Sequence, residues 1–215
     1  MIIYITGTGT GIGKTFVTKA IINNLINKFK IVGIKPIAAG IEKETGFNED
    51  VQILSSVSGL RYEESNLYCF QKPVSPHIGA DEEKAKLDFN VIKDWIHELD
   101  KKNDFVLVEG VGGLLSPIDQ FRTNIDLIKY LNLPVIVVVG LKLGCINDAL
   151  LTFEKIKSEG LNVNGWIANL ADQGMLEVKK NLDYLVNKID YNFYDFLDFG
   201  VDSFEKELLL ERVMN

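Results

Sequence analysis

Cysteine and histidine are scarce in this chain, with 2 of each among 215 residues. Cys69 and Cys145 stand far apart and outside any C-x-x-C setting, so two reduced thiols are expected rather than a disulfide or a thiolate metal site. His77 and His97 lack the spacing of a metal pair and read as surface residues. Positive charge is also short: 23 Lys and Arg against 30 Asp and Glu give a net charge of −7. Without a basic excess to release phosphate counterions, a general binder of nucleic acid or acidic membranes is excluded. The longest apolar stretches, such as Val135–Val139, are far too short to span a bilayer. Met1 runs straight into an apolar segment without a basic n-region, so no secretory leader is expected and the cytoplasm is the expected location.

What is present is ordinary in amount, with 47% hydrophobic and 25% charged residues, and one domain over residues 1–215 is expected. Strand-like runs at Ile2–Thr6, Ile31–Ile34, Phe105–Val108, Val135–Val139 and Val163–Ala168 alternate with helical patterns. The helical patterns cover Thr15–Phe29, Phe89–Leu99, Asn124–Leu131, Ile146–Ser158 and Leu176–Ile189. The middle strands are continuous β-branched runs, as strands covered on both faces require. The spacing predicts an α/β fold: a doubly wound, mostly parallel sheet with helices on both faces and ligands at the carboxyl ends of its strands. Residues Ile41–Ala85 read as long loops around a short helix near Val51–Ser56, and the aromatic, acidic tail after Ile189 gives no clear pattern.

Chemistry-bearing residues fall where those strands end. Gly7–Thr15, G-T-G-T-G-I-G-K-T, follows the first strand and opens the first helix. Its glycines allow backbone N–H groups close to phosphates, and the helix start adds partial positive charge. Lys14 is placed for the β/γ-phosphates and the Thr15 hydroxyl for Mg²⁺, so an ATP-type triphosphate is the expected ligand. The spacing is one residue longer than G-x-x-x-x-G-K-[ST], because Thr8 stands where the first glycine belongs. No dinucleotide G-x-G-x-x-G register fits this stretch.

Lys35 closes the second strand, either as a solvated strand end or as a clamp on a transferring phosphoryl group. Glu109 closes the third strand ahead of Gly110-Val111-Gly112-Gly113. A carboxylate there is costly unless paired or bound to metal, and Mg²⁺ is the simplest resolution. Asp50, judged from spacing alone, reads as a helix cap. Gly140–Asn147 ends the fourth strand, and free N–H groups at Gly144, Cys145, Ile146 and Asn147 suit an anion such as a carboxylate. Cys145 reads as a small packing residue.

Thr6–Thr15, Lys35-Pro36-Ile37-Ala38-Ala39-Gly40, Ser75-Pro76-His77, Val108–Gly113 and Lys142–Asn147 occur in order, and together they resemble the dethiobiotin synthetases, over roughly residues 1–170. The resemblance implies a P-loop NTPase-type ligase of biotin biosynthesis, homodimeric and dependent on ATP and Mg²⁺. Its implied reaction joins 7,8-diaminononanoate and CO₂ or bicarbonate through a phosphorylated carbamate, giving dethiobiotin, ADP and phosphate. Carried over residue by residue, Lys14 and Lys35 would be catalytic, and Thr15, Asp50 and Glu109 would surround the metal, which replaces the cap reading of Asp50. ATP would contact Gly11, Ile12, Gly13, Lys14, Thr15 and Phe16, then Asp50 and the Glu109, Gly110, Val111 and Gly112 segment, with Asn169 at the adenine. Thr10, Ala39 and the Glu109–Gly113 segment would face the diamine and carbamate, and Gly144, Cys145, Ile146 and Asn147 of the partner subunit would receive the distal carboxylate.

This chain departs from the family at three places. Ala39 stands where a hydroxyl residue is common, Gly11 where an acidic one occurs, and Tyr191–Phe199 where a Pro-containing adenine-side segment is usual. Two other readings compete. A partitioning-type ATPase switch typically carries an extra lysine early in the loop, where this chain has Thr8, Gly9 and Thr10. An amidotransferase-type ligase needs a glutamine-handling domain for which 215 residues leave no room.

Overall fold

A central six-stranded sheet organises the chain in the computed structural model, which describes residues 1–204. Its strands are β1 (Ile2–Gly7), β2 (Ile31–Ile34), β5 (Phe105–Glu109), β6 (Val135–Leu141), β7 (Val163–Leu170) and β8 (Phe193–Leu197). They lie in the order β2-β5-β1-β6-β7-β8, and every pairing is parallel. Both faces are covered, which is why β6 can be V-I-V-V-V-G-L with every residue buried.

Alternate residues of each strand serve opposite faces. Ile3, Ile5, Leu107, Ile136 and Val138 pack with Val17, Ala20 and Ile21 of helix α1 (Lys14–Leu25). Tyr4, Val106, Val108, Val137 and Val139 point the other way. There they meet α5 (Phe89–Asp100), α6 (Asn124–Leu131), α7 (Cys145–Glu159) and α8 (Val178–Lys188), through residues such as Ile92, Ile128, Phe153 and Leu185. The expected doubly wound arrangement is therefore observed. At about 25 cal/mol per Å² of apolar surface, these two layers supply most of the gross stabilisation.

Two stretches are more ordered than their sequence pattern suggests. Within the expected loop region the short helix near Val51–Ser56 is present as α2 (Glu49–Ser58), and α3 (Tyr62–Ser65) and α4 (Pro76–Glu82) are added to it. A small parallel pair, β3 (Ile37–Ala39) with β4 (Tyr68–Phe70), completes this region. Three-residue strands are too short to show periodicity. The segment after Ile189 forms edge strand β8 on β7, with Phe196 opposite Ala168 and Leu197 opposite Asn169.

Register brings the chemistry together. Ile5 lies opposite Glu109 across β1 and β5, and Ile34 lies opposite Val108 across β2 and β5. The loop after Gly7, Lys35 and Glu109 therefore leave the sheet side by side, at the edge where the chain switches direction between neighbouring strands. Among the described residues, no helix is long and apolar enough to cross a membrane.

Candidate active site

The carboxyl edge of the sheet opens into a cavity of about 860 Å³. Thr10, Gly11, Gly13, Lys14, Thr15 and Phe16 form its floor, with Lys35, Asp50 and Glu109 on one side. Ala39, Val111 and Gly112 line it as well, beside Val74, Ser75 and Ser116. At its heart is a polar knot, buried at Lys35 and Glu109 and open to the cavity at Asp50. The Lys35 ammonium sits 2.6 Å from Glu109 Oε1 and 2.8 Å from Asp50 Oδ2. Thr15 Oγ1 lies 2.7 Å from Asp50 Oδ1 and 2.7 Å from Glu109 Oε1. Thr18, one turn further along α1, donates to Glu109 Oε2 at 3.2 Å.

Charge in this knot is strongly coupled. Burial works against the Lys35 ammonium, yet the carboxylates of Glu109 and Asp50 outweigh it and hold the pKa above the ordinary lysine value. Burial likewise opposes the Asp50 carboxylate, but Lys35 and the Thr15 hydroxyl keep its pKa below the usual range. Lys14 goes the other way. Burial, aided by repulsion from Lys35, lowers it to about 8. Its Nζ donates to Gly9 O at 2.8 Å, curled within the loop it would share with phosphates.

The donor set fits a hard divalent cation. Thr15 has one hydroxyl hydrogen for two carboxylate oxygens at equal distance, so three oxygens converge on more acceptor capacity than that hydroxyl can satisfy. Among the described residues there is no group of three or more His, Cys, Asp or Glu able to form a closed protein cage. That suits Mg²⁺, which takes one or two carboxylates and completes its shell with phosphate and water.

Loop geometry is fixed from below. Gly13 has φ +83°, and a Cβ there would come within 2.3 Å of Asn169 Nδ2. That amide donates to Ile12 O at 2.9 Å, which leaves Asn169 Oδ1 buried without a partner. Asn169 also lines a second cavity of about 250 Å³ with Phe199 and Gly200. Gly11, Gly13 and Phe16 border both cavities, so the two adjoin along the loop.

The Gly110–Gly113 turn is pinned by a residue the sequence pattern did not single out. Asn124 Nδ2 donates to Val111 O at 2.6 Å and to Gly113 O at 2.7 Å, while its Oδ1 accepts from Tyr4 Oη at 2.9 Å. Burial, with Glu109 nearby, raises the Tyr4 pKa, so its hydroxyl stays a donor. Ser116 Oγ accepts from Gly113 N at 2.7 Å.

Not every expected residue faces the cavity. The Ile12 side chain is buried in the α1-side core, so only its backbone is available to a ligand. Gly110 is buried against Tyr4. Gly144, Cys145, Ile146 and Asn147 sit at the start of α7 and line neither cavity of this chain. Asp50 is not the cap that spacing suggested. Asn48 caps α2 through its Oδ1, which accepts from Val51 N at 3.2 Å, leaving the Asp50 carboxylate to Lys35 and Thr15.

Residues 2–190 match a family described as an AAA domain. The chain is 38% identical over 208 residues to the ATP-dependent dethiobiotin synthetase of Nitrosospira multiformis, covering 95% of this chain and 91% of that protein. With the ATP-dependent dethiobiotin synthetase of Aromatoleum aromaticum it shares 42% over 192 residues, 87% of this chain and 85% of the relative. The chain belongs to the dethiobiotin synthetase family. Its fold extends beyond that family. The MinC:MinD cell division protein complex of Aquifex aeolicus matches with a TM-score of 0.53 at 16% identity, covering 99% of this chain and 84% of that one. A ParA family ATPase from Chlorobium tepidum matches with a TM-score of 0.51 at 12% identity, over 99% and 88% of the two chains. At that identity the likeness shows the architecture alone. The synthetase family therefore displaces the partitioning-switch reading.

Proposed function

We propose that the larger cavity binds Mg-ATP beside 7,8-diaminononanoate and CO₂, and that this chain makes dethiobiotin, ADP and phosphate in the cytoplasm. The observation that carries the reading is the meeting of Lys14, Thr15, Lys35, Asp50 and Glu109 in one cavity of about 860 Å³, which has room for a triphosphate and a small second substrate. Lys14 and the loop N–H groups hold the β- and γ-phosphates. Thr15, Asp50 and Glu109 hold Mg²⁺, which when bound neutralises charge on the transferring phosphoryl group. Lys35, fixed by two carboxylates, presents a full positive charge to the carbamate oxygen as it attacks. With both amines held toward one carbon, the second amine then displaces phosphate in an intramolecular ring closure.

Thr10, Ala39, Ser75 and Val111 face the diamine in this reading, and the Thr10 and Ser75 hydroxyls take over where Ala39 offers only a methyl group. The unpartnered Asn169 Oδ1 accepts from the amino group of adenine, with Phe199 and Gly200 as the opposite wall. Gly144–Asn147 serve the site of a second copy in a homodimer. The neighbouring Leu143 supports this, since it is 94% exposed in one chain and a partner would cover it.

The test is ADP release with each substrate omitted in turn. Release should require both the diamine and bicarbonate. Fast ATP turnover that ignores the diamine and responds to a protein partner would refute the ligase reading.

A further inference from the structure

The wall opposite Asn169 is held in place by α1, the helix that the phosphate loop opens. After β8, Asp198–Val201 form a turn in which Val201 N donates to Asp198 O at 3.2 Å. Gly200 has φ +75°, the left-handed value that a type II turn takes at its third position. This turn presents Phe199 and Gly200 to the smaller cavity. The chain then crosses to α1 and is fastened at three points. Asn23 Nδ2 donates to Asp202 O at 3.1 Å. Asn24 exchanges two bonds with Phe204, its Nδ2 donating to the carbonyl at 3.1 Å and its Oδ1 accepting from the N–H at 3.0 Å. Lys19 Nζ pairs with Asp202 Oδ2 at 2.7 Å.

The fastening has a packing reason. On this face the apolar cluster around α1 draws residues from all six strands, and Leu197 and Phe204 join it. Hydrophobic cover brings the strap to α1, and the asparagines fix its register, because a backbone N–H and C=O both matched by one amide leave little freedom to slide.

We infer that Asn23 and Asn24 are positioning residues for the nucleotide base: they lock the strap 198–204 to α1, so that Phe199 and Gly200 stand at a fixed distance from Asn169. Phosphate and base recognition then share one rigid element, the loop at the N-terminal end of α1 and the strap along its side. This rests on reading the smaller cavity as the base site. It predicts a division of labour: loosening the strap weakens binding of ATP but not of a triphosphate that has no base.

The experiment is calorimetric titration of the full chain, with Mg²⁺ and without diamine, using ATP and inorganic tripolyphosphate as the two probes. Asn24→Ala should raise the Kd for ATP about tenfold, as expected for two lost hydrogen bonds, and change that for tripolyphosphate less than twofold. Turnover at saturating ATP should stay within twofold of the parent. Asn23→Ala, which removes only the bond to Asp202 O from a half-buried position, should raise the ATP Kd about threefold and decides the matter if Asn24→Ala folds poorly. An unchanged ATP Kd in the folded variants, or parallel losses for ATP and tripolyphosphate, overturns the inference. Because these titrations need no diamine, a parent protein that makes no dethiobiotin would refute the proposed reaction and leave the strap result standing.

Discussion

The Lys35 ammonium and the Glu109 carboxylate meet at 2.6 Å, at the ends of two adjacent parallel strands and almost wholly buried. Neither could remain there alone, since an unpaired charge in the interior costs several kcal/mol. Their contact follows from register, because each is the residue just past the Ile34–Val108 pair. A buried ion pair kept at a substrate cavity is better understood as preorganised charge than as a source of stability.

Replacing Lys35 with alanine should therefore have two separable effects. Turnover should fall at least a hundredfold, as for loss of one preorganised positive group, while ATP affinity changes by less than a factor of about three. Unfolding free energy should drop by about 3 kcal/mol, because Glu109 is left buried without its partner. Steady-state kinetics and denaturant titration read the two effects. Equal losses in turnover and ATP binding would reassign Lys35 to nucleotide binding.

Glu109→Gln keeps the shape and removes the charge. The Mg²⁺ concentration for half-maximal activity should rise by about tenfold, the loss of one charged oxygen donor. A Mg²⁺ titration unchanged from the parent would contradict the place given to Glu109.

Lys14 gives a pH dependence of defined sign. In the free protein it titrates near 8, below the ordinary lysine value, because of burial and then Lys35. A bound triphosphate favours the ammonium and raises that pKa. Binding must then take up protons at and above pH 8, and ATP affinity should fall as pH rises from about 8 toward 10. Titrations in buffers of different ionisation enthalpy count the protons. Flat affinity from pH 7 to 9.5 would show that Lys14 does not meet the phosphates.

Asn124→Ala removes two donors from the Gly110–Gly113 turn and the acceptor for Tyr4 Oη. With several buried partners left unmatched, stability should fall by about 2–4 kcal/mol. The KM for the diamine should rise more than that for ATP, since Val111 and Gly112 line the larger cavity while Asn169 is untouched. Equal shifts in both KM values would show that Asn124 supports the whole edge rather than this turn.

Much of this molecule was legible because its central strands are unbroken Val and Ile runs and its chemistry sits where those runs stop. Lys35 and Glu109 could be placed at one edge of the sheet for that reason, although their direct ion pair is visible only in the structure. Asp50 could not, because Asn48, two residues earlier, is an equally good cap and spacing does not choose between them. Strand β8 was hidden by Asp195 within an aromatic run at the sheet's edge. Thr18 carries a legible signal of its own: it follows Thr15 by three positions, so both hydroxyls lie on one side of α1 and reach Glu109. Asn124 meets Tyr4, and the strap meets α1, across more than a hundred positions through isolated polar contacts, and no local pattern encodes them.

The proposed function requires one cavity to join ATP cleavage to closure of a cyclic urea. Purified chain given Mg-ATP, ¹³C-bicarbonate and 7,8-diaminononanoate should yield dethiobiotin heavier by one mass unit, with one ADP per ring closed, when followed by mass spectrometry. ADP accumulating without labelled dethiobiotin would contradict it.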